Sequence, residues 1–572
     1  MAFYRKLRKL IRNPKQFFAD AKMNKQAAEG KVIMQKLALA QIDGGKSVVA
    51  VALKDTPKAA PKTAPKLITK ADPKMVPKTA TKDAPVGFER WLAYSESVRA
   101  FALAYPVNVI KYRDFHMWPA LRFYIWLRLI CDILGKNITN KNLITASPSM
   151  IWRKNYAQEF GAVSVDDLDG SSTKVDFLVF SNQNSIDLCG VEGVSYNRLS
   201  DPLYEKLASY GAVQKVELLK GHTQLPRIRH ITPRYMMPSV VRSTRHHLLV
   251  DGLAEAIPAM IQAFPKAELT EGLINFYIDE FFNLKESYKK ILLEYQPRCA
   301  FFSPIDYSFP LIMACKECSV QAVDIQHGNH VGFNLPYNHW DEAPVGGYSL
   351  FPDVFLGWGL REKRALSQNF PSTKVLTAGY PWLDYFGKIR REESSVIKRA
   401  LAEVGYYRRV VAITMRDQVD FPEILRNIIS DPRAEETGIV FLIKPHPKNN
   451  RLVKIPNSNR VLMPKGIKDI SIADMSSYVD LHMTVNSSSI FEFEYYGIPS
   501  FVFGDEPLVD YADLIEEGRL TYISNMEDFY HHLNELGERP SFSPLIDNNS
   551  DEFDAYLSSI VANRPVIAPV AA

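Results

Sequence analysis

Ile439–Lys448 reads IVFLIKPHPK and Leu481–Gly504 reads LHMTVNSSSIFEFEYYGIPSFVFG, and these two stretches decide the fold. The first is an apolar run stopped by Lys444, Pro445, His446 and Pro447. A short apolar run bounded by prolines predicts a strand buried on both faces of a parallel sheet. The polar residues then fall just past its C-terminal edge, where open α/β sheets bind their ligands. The second stretch repeats the plan: strand LHMTV, polar turn Asn486, Ser487, Ser488 and Ser489, helix IFEFEYYG, then Ile498-Pro499 and a further strand SFVFG. Small hydroxyl residues opening a helix leave its first amides free beside their hydroxyls, which suits a phosphate. Lys444 and His446 would add positive charge or donors to the same anion. Taken singly, a serine at a helix start is a cap, and a histidine between prolines is a rigid loop residue. Two such motifs at successive strand ends, about forty residues apart, are what neighbouring strands of one βαβ series require. A negatively charged leaving group held in this way is what transfer from an activated nucleotide donor needs.

The residues upstream predict a second sheet. VDFLVFSN (175–182), KVELLK (215–220), CAFFSP (299–304) and VQAVDIQ (320–326) read as strands. Arg229-His230-Ile231 and HHLLVDG (246–252) are further strand candidates, and a long helical tract fills roughly 254–294. Strands alternating with helices, each strand ending in polar residues, describe a doubly wound domain. The turn after VQAVDIQ holds Gln326, His327, Gly328 and His330. A neutral imidazole at a strand end could take a proton from an acceptor hydroxyl, or bind phosphate when charged. Gly328 would let the backbone approach a ligand closely. Asp306 and Asp176 are carboxylate alternatives for the base, and Asp251-Gly252 and Asp169-Gly170 read as turns. Arg416, after the strand RRVVAITM, is a further candidate for the cleft. FPDVFLGWG (351–359) and KVLTAGYPWLDYF (374–386) read as a crossover between two domains, with Gly359 and Gly379 ending short strands.

The chain has 572 residues, 46% apolar and 23% charged, which fits two or three soluble globular domains. Its net charge of +5 is concentrated in the first ninety residues. The remainder is near neutral, which speaks against a nucleic-acid-binding body. Five cysteines (131, 189, 299, 315 and 318) suggest a reducing compartment, with the Cys315/Cys318 pair read as thiols of a packed helix. No run reaches the length of a transmembrane helix, and no signal peptide is evident.

Before Gln26 the chain carries eight Lys/Arg and one acid, with Phe3, Leu7, Leu10 and Ile11 at helical spacing. A basic amphipathic helix with aromatics suits an anionic membrane surface, where each cation adds ~1 kcal/mol. Lysine then recurs at every fourth position from 54 to 82, with proline before it at 57, 61, 65, 73 and 77. That pattern forbids a helix and offers no core, so it reads as an extended tether of ~3 Å per residue. The expected organisation is a membrane-associating segment (1–43), a disordered linker (44–86), an acceptor-side α/β domain (87–344), a donor-binding α/β domain (345–545) and a tail (546–572).

Two doubly wound Rossmann-type domains facing a cleft are the GT-B architecture, and here the sequence resembles a family. It looks like bacterial capsule and lipopolysaccharide glycosyltransferases of the GT-B type. KLRKLIRNPKQFFADA (6–21) resembles the membrane-associating segment of capsule-polymer transferases. Lys444 and His446 match the His-Pro motif, and Ser487–Ser489 the Ser-Ser motif, of sialyltransferase-like and Kdo-transferase-like enzymes. The resemblance implies that both motifs hold the phosphate of a CMP-activated sugar, with Glu492 or Glu494 near the ribose or sugar. The same signature resembles CDP-glycerol glycerophosphotransferases, where His327 would be the base and His446 a phosphate ligand. The chain lacks the acidic-acidic-Gly base motif of the first family and the acidic partner after Ser-Ser of the second.

The expectation is therefore a glycosyltransferase on the inner face of the cytoplasmic membrane, moving a sugar from a nucleotide donor to a surface glycan or glycolipid. His327 or Asp306 would act as base, and Lys444, His446, Asn486, Ser487, Ser488, Ser489 and Glu492 would hold the donor. No metal and no cofactor beyond the nucleotide-activated substrate are implied, and no nucleic acid. The alternatives are a glycerophosphate transfer and a non-catalytic, transferase-like scaffold.

Overall fold

The computed structural model describes residues 86–133, 162–165, 168, 174–182, 188–191, 194–219, 234–236, 245–388, 395–415, 421–446, 455–456, 458–536 and 542–562. The expected membrane segment, the tether up to residue 85, Asp169, Arg229–Ile231 and Arg416 lie outside these residues. Among the described residues no helix is long and apolar enough to cross a membrane.

Two short antiparallel pairs, β1 (Lys111–Tyr112) with β2 (Phe115–His116) and β5 (Leu188–Val191) with β6 (Val194–Asn197), accompany two large sheets. The first sheet contains β3 (Ala162–Ser164), β4 (Phe177–Asn182), β7 (Val213–Leu219), β8 (Arg234–Met236), β9 (Cys299–Phe302), β10 (Gln321–Ile325), β11 (Val354–Gly357) and β12 (Lys374–Thr377). Its order is β12-β11-β10-β9-β4-β7-β8-β3, and every pairing is parallel. The second contains β13 (Arg409–Thr414), β14 (Ile439–Lys444), β15 (Val461–Leu462), β16 (Leu481–Thr484), β17 (Ser500–Val502) and β18 (Leu520–Tyr522). Its order is β15-β14-β13-β16-β17-β18, again wholly parallel. The winding direction reverses between β4 and β9 in the first sheet and between β13 and β16 in the second. This is the expected GT-B-like, doubly wound α/β architecture.

The side-chain alternation of the strands explains it. In β13 and β14, Val411, Ile413, Phe441 and Ile443 pack on one face with Leu425, Ile428 and Phe529. Val410, Ala412, Val440 and Leu442 pack on the other with Ile397, Leu401 and Phe493. Every residue of β14 is buried. A strand buried on both faces reads as a continuous apolar run, and burial of each Leu, Ile or Phe contributes about 1.5–3 kcal/mol.

Three expectations change. β11 and β12, expected on the donor side of residue 345, pair with β10 in the first sheet. FPDVFLGWG and KVLTAG are thus sheet strands, with the crossover beyond them. HHLLVDG forms a 3-10 turn at His246–Leu249 with Leu248 and Leu249 exposed, because two adjacent outward leucines leave no buried face for a strand. The tract at 254–294 divides at Phe264 into helices Leu253–Ala263 and Glu271–Tyr295.

The last segment returns to the first sheet. Leu545 and Ile546 join the cluster of Trp358, Tyr380 and Trp382, and helix Glu552–Ala562 lays Phe553, Tyr556 and Leu557 against Phe177, Val179 and Phe301. Gly359 and Gly379 make room for this passage. A Cβ on Gly359 would stand 2.2 Å from the Leu545 carbonyl oxygen, and one on Gly379 would stand 2.1 Å from Asn548 Oδ1.

Candidate functional site

Loops at the C-terminal ends of the central strands of the two sheets touch each other. From the first sheet comes the loop after β10. Gln326, expected to line the cleft, is fully buried: its Oε1 accepts from the Trp358 amide (2.6 Å) and its Nε2 donates to the Gly328 carbonyl (2.8 Å). It shapes the loop from beneath. Gly328 is open, with nothing within 4 Å of a Cβ built on it. His327 is half-buried, and its Nδ1 lies 3.1 Å from His330 Nε2. His330, also expected in the cleft, is buried instead and stacks on Tyr337 at 3.8 Å and 8°. Burial, and then the neighbouring His327, hold His330 well below the ordinary imidazole range, so it is neutral.

Tyr337 donates to Asp324 Oδ2 (3.3 Å) and accepts from the Ile305 amide (3.3 Å). Burial, and then the charge of Asp306, push the Asp324 carboxyl well up. Asp306, half-buried after β9, accepts from the Tyr307 amide (3.0 Å), and its charge is felt by Asp324 and Tyr337. Asp176 sits at the opposite end of β4, where its Oδ2 accepts from the Ala212 amide (3.0 Å), which removes it from the list of bases.

The second sheet contributes the Asn486–Ser489 turn at its own winding reversal. Asn486 Nδ2 donates to Asp510 Oδ2 (2.5 Å), and Asp510 Oδ1 accepts from the Phe333 amide (3.0 Å) in the loop after β10. One carboxylate therefore couples the two motif loops. Gly332, at φ +86°, allows the approach, since a Cβ there would lie 2.7 Å from Asp510 Cα. Arg361 completes the contact: Nε and Nη2 grip Asp513 at 2.6 and 2.9 Å, Nη1 reaches Asn329 Oδ1 (2.8 Å) and Nη2 reaches the Asp510 carbonyl (3.0 Å).

The helix after the turn, Ser489–Tyr495, is only seven residues long, and its first amides are already engaged. The Ser489 amide donates to Ser487 Oγ (3.3 Å), that of Ile490 to the Ser487 carbonyl (3.2 Å) and that of Phe491 to the Ser488 carbonyl (3.1 Å). The expected set of free helix amides is therefore replaced by side-chain hydroxyls. Ser489 is buried, while Ser487 and Ser488 are half-exposed. Ser489 Oγ donates to Ser487 Oγ (2.8 Å) and lies 3.0 Å from Thr414 Oγ1. His482 of β16 underpins them, with Nε2 2.8 Å from Thr414 Oγ1, Nδ1 2.8 Å from Ser500 Oγ and its ring 4.2 Å from that of Phe493. Burial pushes this imidazole down to about 3, so it is neutral.

Lys444 packs against the loop that follows β15. Its buried ammonium donates to the carbonyls of Ile467 (3.1 Å), Lys468 (2.8 Å) and Ile470 (2.6 Å). Three protons and three acceptors make it a cap on that loop. His446, two residues on, is half-buried at the strand end. Glu492 is buried; burial raises its carboxyl, against which Arg198 and then Lys444 act. Arg198 approaches it from the turn between β6 and helix Ser200–Ala208 (Nη1 to Oε1, 3.5 Å).

Arg198 is set in place by its neighbours. Asn197 Oδ1 accepts from the amides of Leu199 (3.0 Å) and Ser200 (2.9 Å), and Asp201 accepts from the Asn197 amide (2.6 Å) while pairing with buried Lys215. Arg198, Arg361, Asp510 and His482 were not singled out from sequence. Only His482 carried a signal, as one polar residue inside an apolar strand that must find partners to be buried.

No family model matches the chain, and no curated protein matches it. Similar solved structures include UDP-GlcNAc 2-epimerase from Methanocaldococcus jannaschii, 11% identical over 67% of this chain and 98% of that chain, at a TM-score of 0.41. UDP-GlcNAc 2-epimerase from Neisseria meningitidis bound to UDP-GlcNAc is 14% identical over 68% and 100%, at 0.39. The wall teichoic acid polymerase TagF is 13% identical over 72% and 88%, at 0.36.

Proposed function

We propose that this chain is a glycosyltransferase that moves a sugar from a nucleotide-activated donor, a CMP-sugar being favoured, onto a capsule or lipopolysaccharide glycan at the cytoplasmic membrane face. The observation that supports it is the coupling of the His327 loop to the Asn486–Ser489 turn through Asp510, at the winding reversal of the second sheet. Crevices at such reversals are where open α/β sheets hold nucleotides. In this reading His327 takes the proton of the acceptor hydroxyl, and the freed oxygen bonds to the anomeric carbon. The bond from that carbon to the phosphate oxygen breaks, and the electron pair leaves with the nucleotide. His446 and the serine hydroxyls stabilise the charge that develops there. Glu492, held by Arg198, takes the ribose or sugar hydroxyls. The test is thermal unfolding with CMP, CDP and UDP, followed by turnover with CMP-sugars, UDP-sugars and CDP-glycerol. Protection by a nucleotide and transfer of a sugar support the reading. Transfer from CDP-glycerol alone replaces it with glycerophosphate transfer, and absence of any protection sinks both.

A further inference from the structure

We propose that Ser487 is the terminal donor of a hydrogen-bond chain that crosses the second sheet from Ser500 through His482, Thr414 and Ser489, its hydroxyl proton held out for an anionic phosphate oxygen. The proposal rests on the donor-site reading above and deepens it by adding a positioning residue, His482, and the atom that meets the anion.

The direction of the chain follows link by link. Ser487 Oγ accepts from both the Ser489 hydroxyl (2.8 Å) and the Ser489 amide (3.3 Å). A hydroxyl has two acceptor positions and one proton, so only the proton of Ser487 remains to give. Ser489 has spent its proton, and its 3.0 Å contact with Thr414 Oγ1 is therefore donated by Thr414. Thr414 in turn has none left for His482, so the 2.8 Å contact is donated by Nε2–H, which also lies 3.3 Å from Ser489 Oγ. A neutral imidazole protonated at Nε2 accepts at Nδ1, which assigns the 2.8 Å contact there to the Ser500 hydroxyl. Four links thus share one sense. Bonds aligned in series polarise one another, most effectively where water is excluded, and Ser500, His482, Thr414 and Ser489 are all buried. The ring of Phe493, 4.2 Å away and inclined by 23°, fixes the imidazole plane. Ser487 is the half-exposed end and adjoins Asn486, which reaches the other lobe through Asp510.

The experiment is calorimetric titration of the full chain with CMP, UDP, cytidine and inorganic pyrophosphate. Ser487→Ala should weaken the nucleotide that binds by about 10- to 100-fold, the range for a hydrogen bond to a charged group, and leave cytidine unchanged. Ser500→Ala and His482→Leu should weaken it several-fold, and His482→Gln, whose amide can still donate to Thr414, should recover most of the loss. Should His482→Leu fail to fold, the two serine variants carry the test from opposite ends. If the wild type binds CMP or UDP and both serine variants bind it equally well, the chain is idle and the proposal fails alone. If phosphate adds nothing over cytidine, it fails as well. If the wild type binds neither nucleotide nor pyrophosphate, the donor-site reading fails with it.

Discussion

Arg361 grips Asp513 with two hydrogen bonds, 2.6 and 2.9 Å, joining the helix that follows β11 of the first sheet to the helix that precedes β18 of the second. The guanidinium is nearly excluded from water, whereas Asp513 is 44% exposed. The pair alone is therefore weakened by solvent, and the bonds to Asn329 and the Asp510 carbonyl matter as much. Arg361→Met should cost about 2 kcal/mol or more by leaving those acceptors unpaired. Asp513→Asn, which keeps an acceptor, should cost about half that. Urea denaturation checks both, and equal effects would mean that the ion pair dominates.

Two glycines four residues apart in the loop after β10, Gly328 and Gly332, separate fold from function. Gly328→Ala meets open space and should leave the unfolding midpoint within about 0.5 kcal/mol of wild type. If a donor or acceptor packs against that backbone, binding or turnover should fall while stability holds. Gly332→Ala adds a side chain at φ +86° against Asp510 and should destabilise by about 1–3 kcal/mol.

Lys444→Met removes all three donors to the Ile467–Ile470 carbonyls and should lower stability by about 2–3 kcal/mol. His446→Ala should leave stability nearly unchanged and cost about 2.7–4 kcal/mol of transition-state stabilisation. Full turnover by His446→Ala would remove that residue from the mechanism.

Acid should unfold the protein through its buried histidines. His482 titrates near 3 and His339 near 4 when folded, both lowered chiefly by burial from 6.5. Between those values and 6.5 the unfolded chain binds more protons than the folded one, so stability falls as pH drops through that window. Asp324, raised by burial, acts in the opposite sense and favours the folded state at low pH. Chemical denaturation at pH 7, 6 and 5 should show the midpoint falling, and His482→Gln should flatten the slope.

Both sheets were legible because their central strands are buried on both faces, so β9, β13 and β14 appear as apolar runs closed by polar residues. β11 and β12 looked like a crossover because Gly359 and Gly379, read as strand endings, are really clearances for residues 545–548. The motif loops were found where strands stop, yet the roles within them were not. The Ile467–Ile470 carbonyls that take the Lys444 ammonium lie beyond a loop of unrelated sequence. Arg361 and Asp510 owe their place to contacts 149 residues apart, which no local pattern reveals.

The returning C-terminal segment has one more effect. The chain passes from the first sheet to the second after Thr377 and comes back before helix Glu552–Ala562, so the second sheet is moored by two cords rather than hung on one. A body moored twice cannot spin freely. Any movement of one sheet against the other must therefore bend both passages, the one after Thr377 and the one that brings Leu545 and Ile546 back.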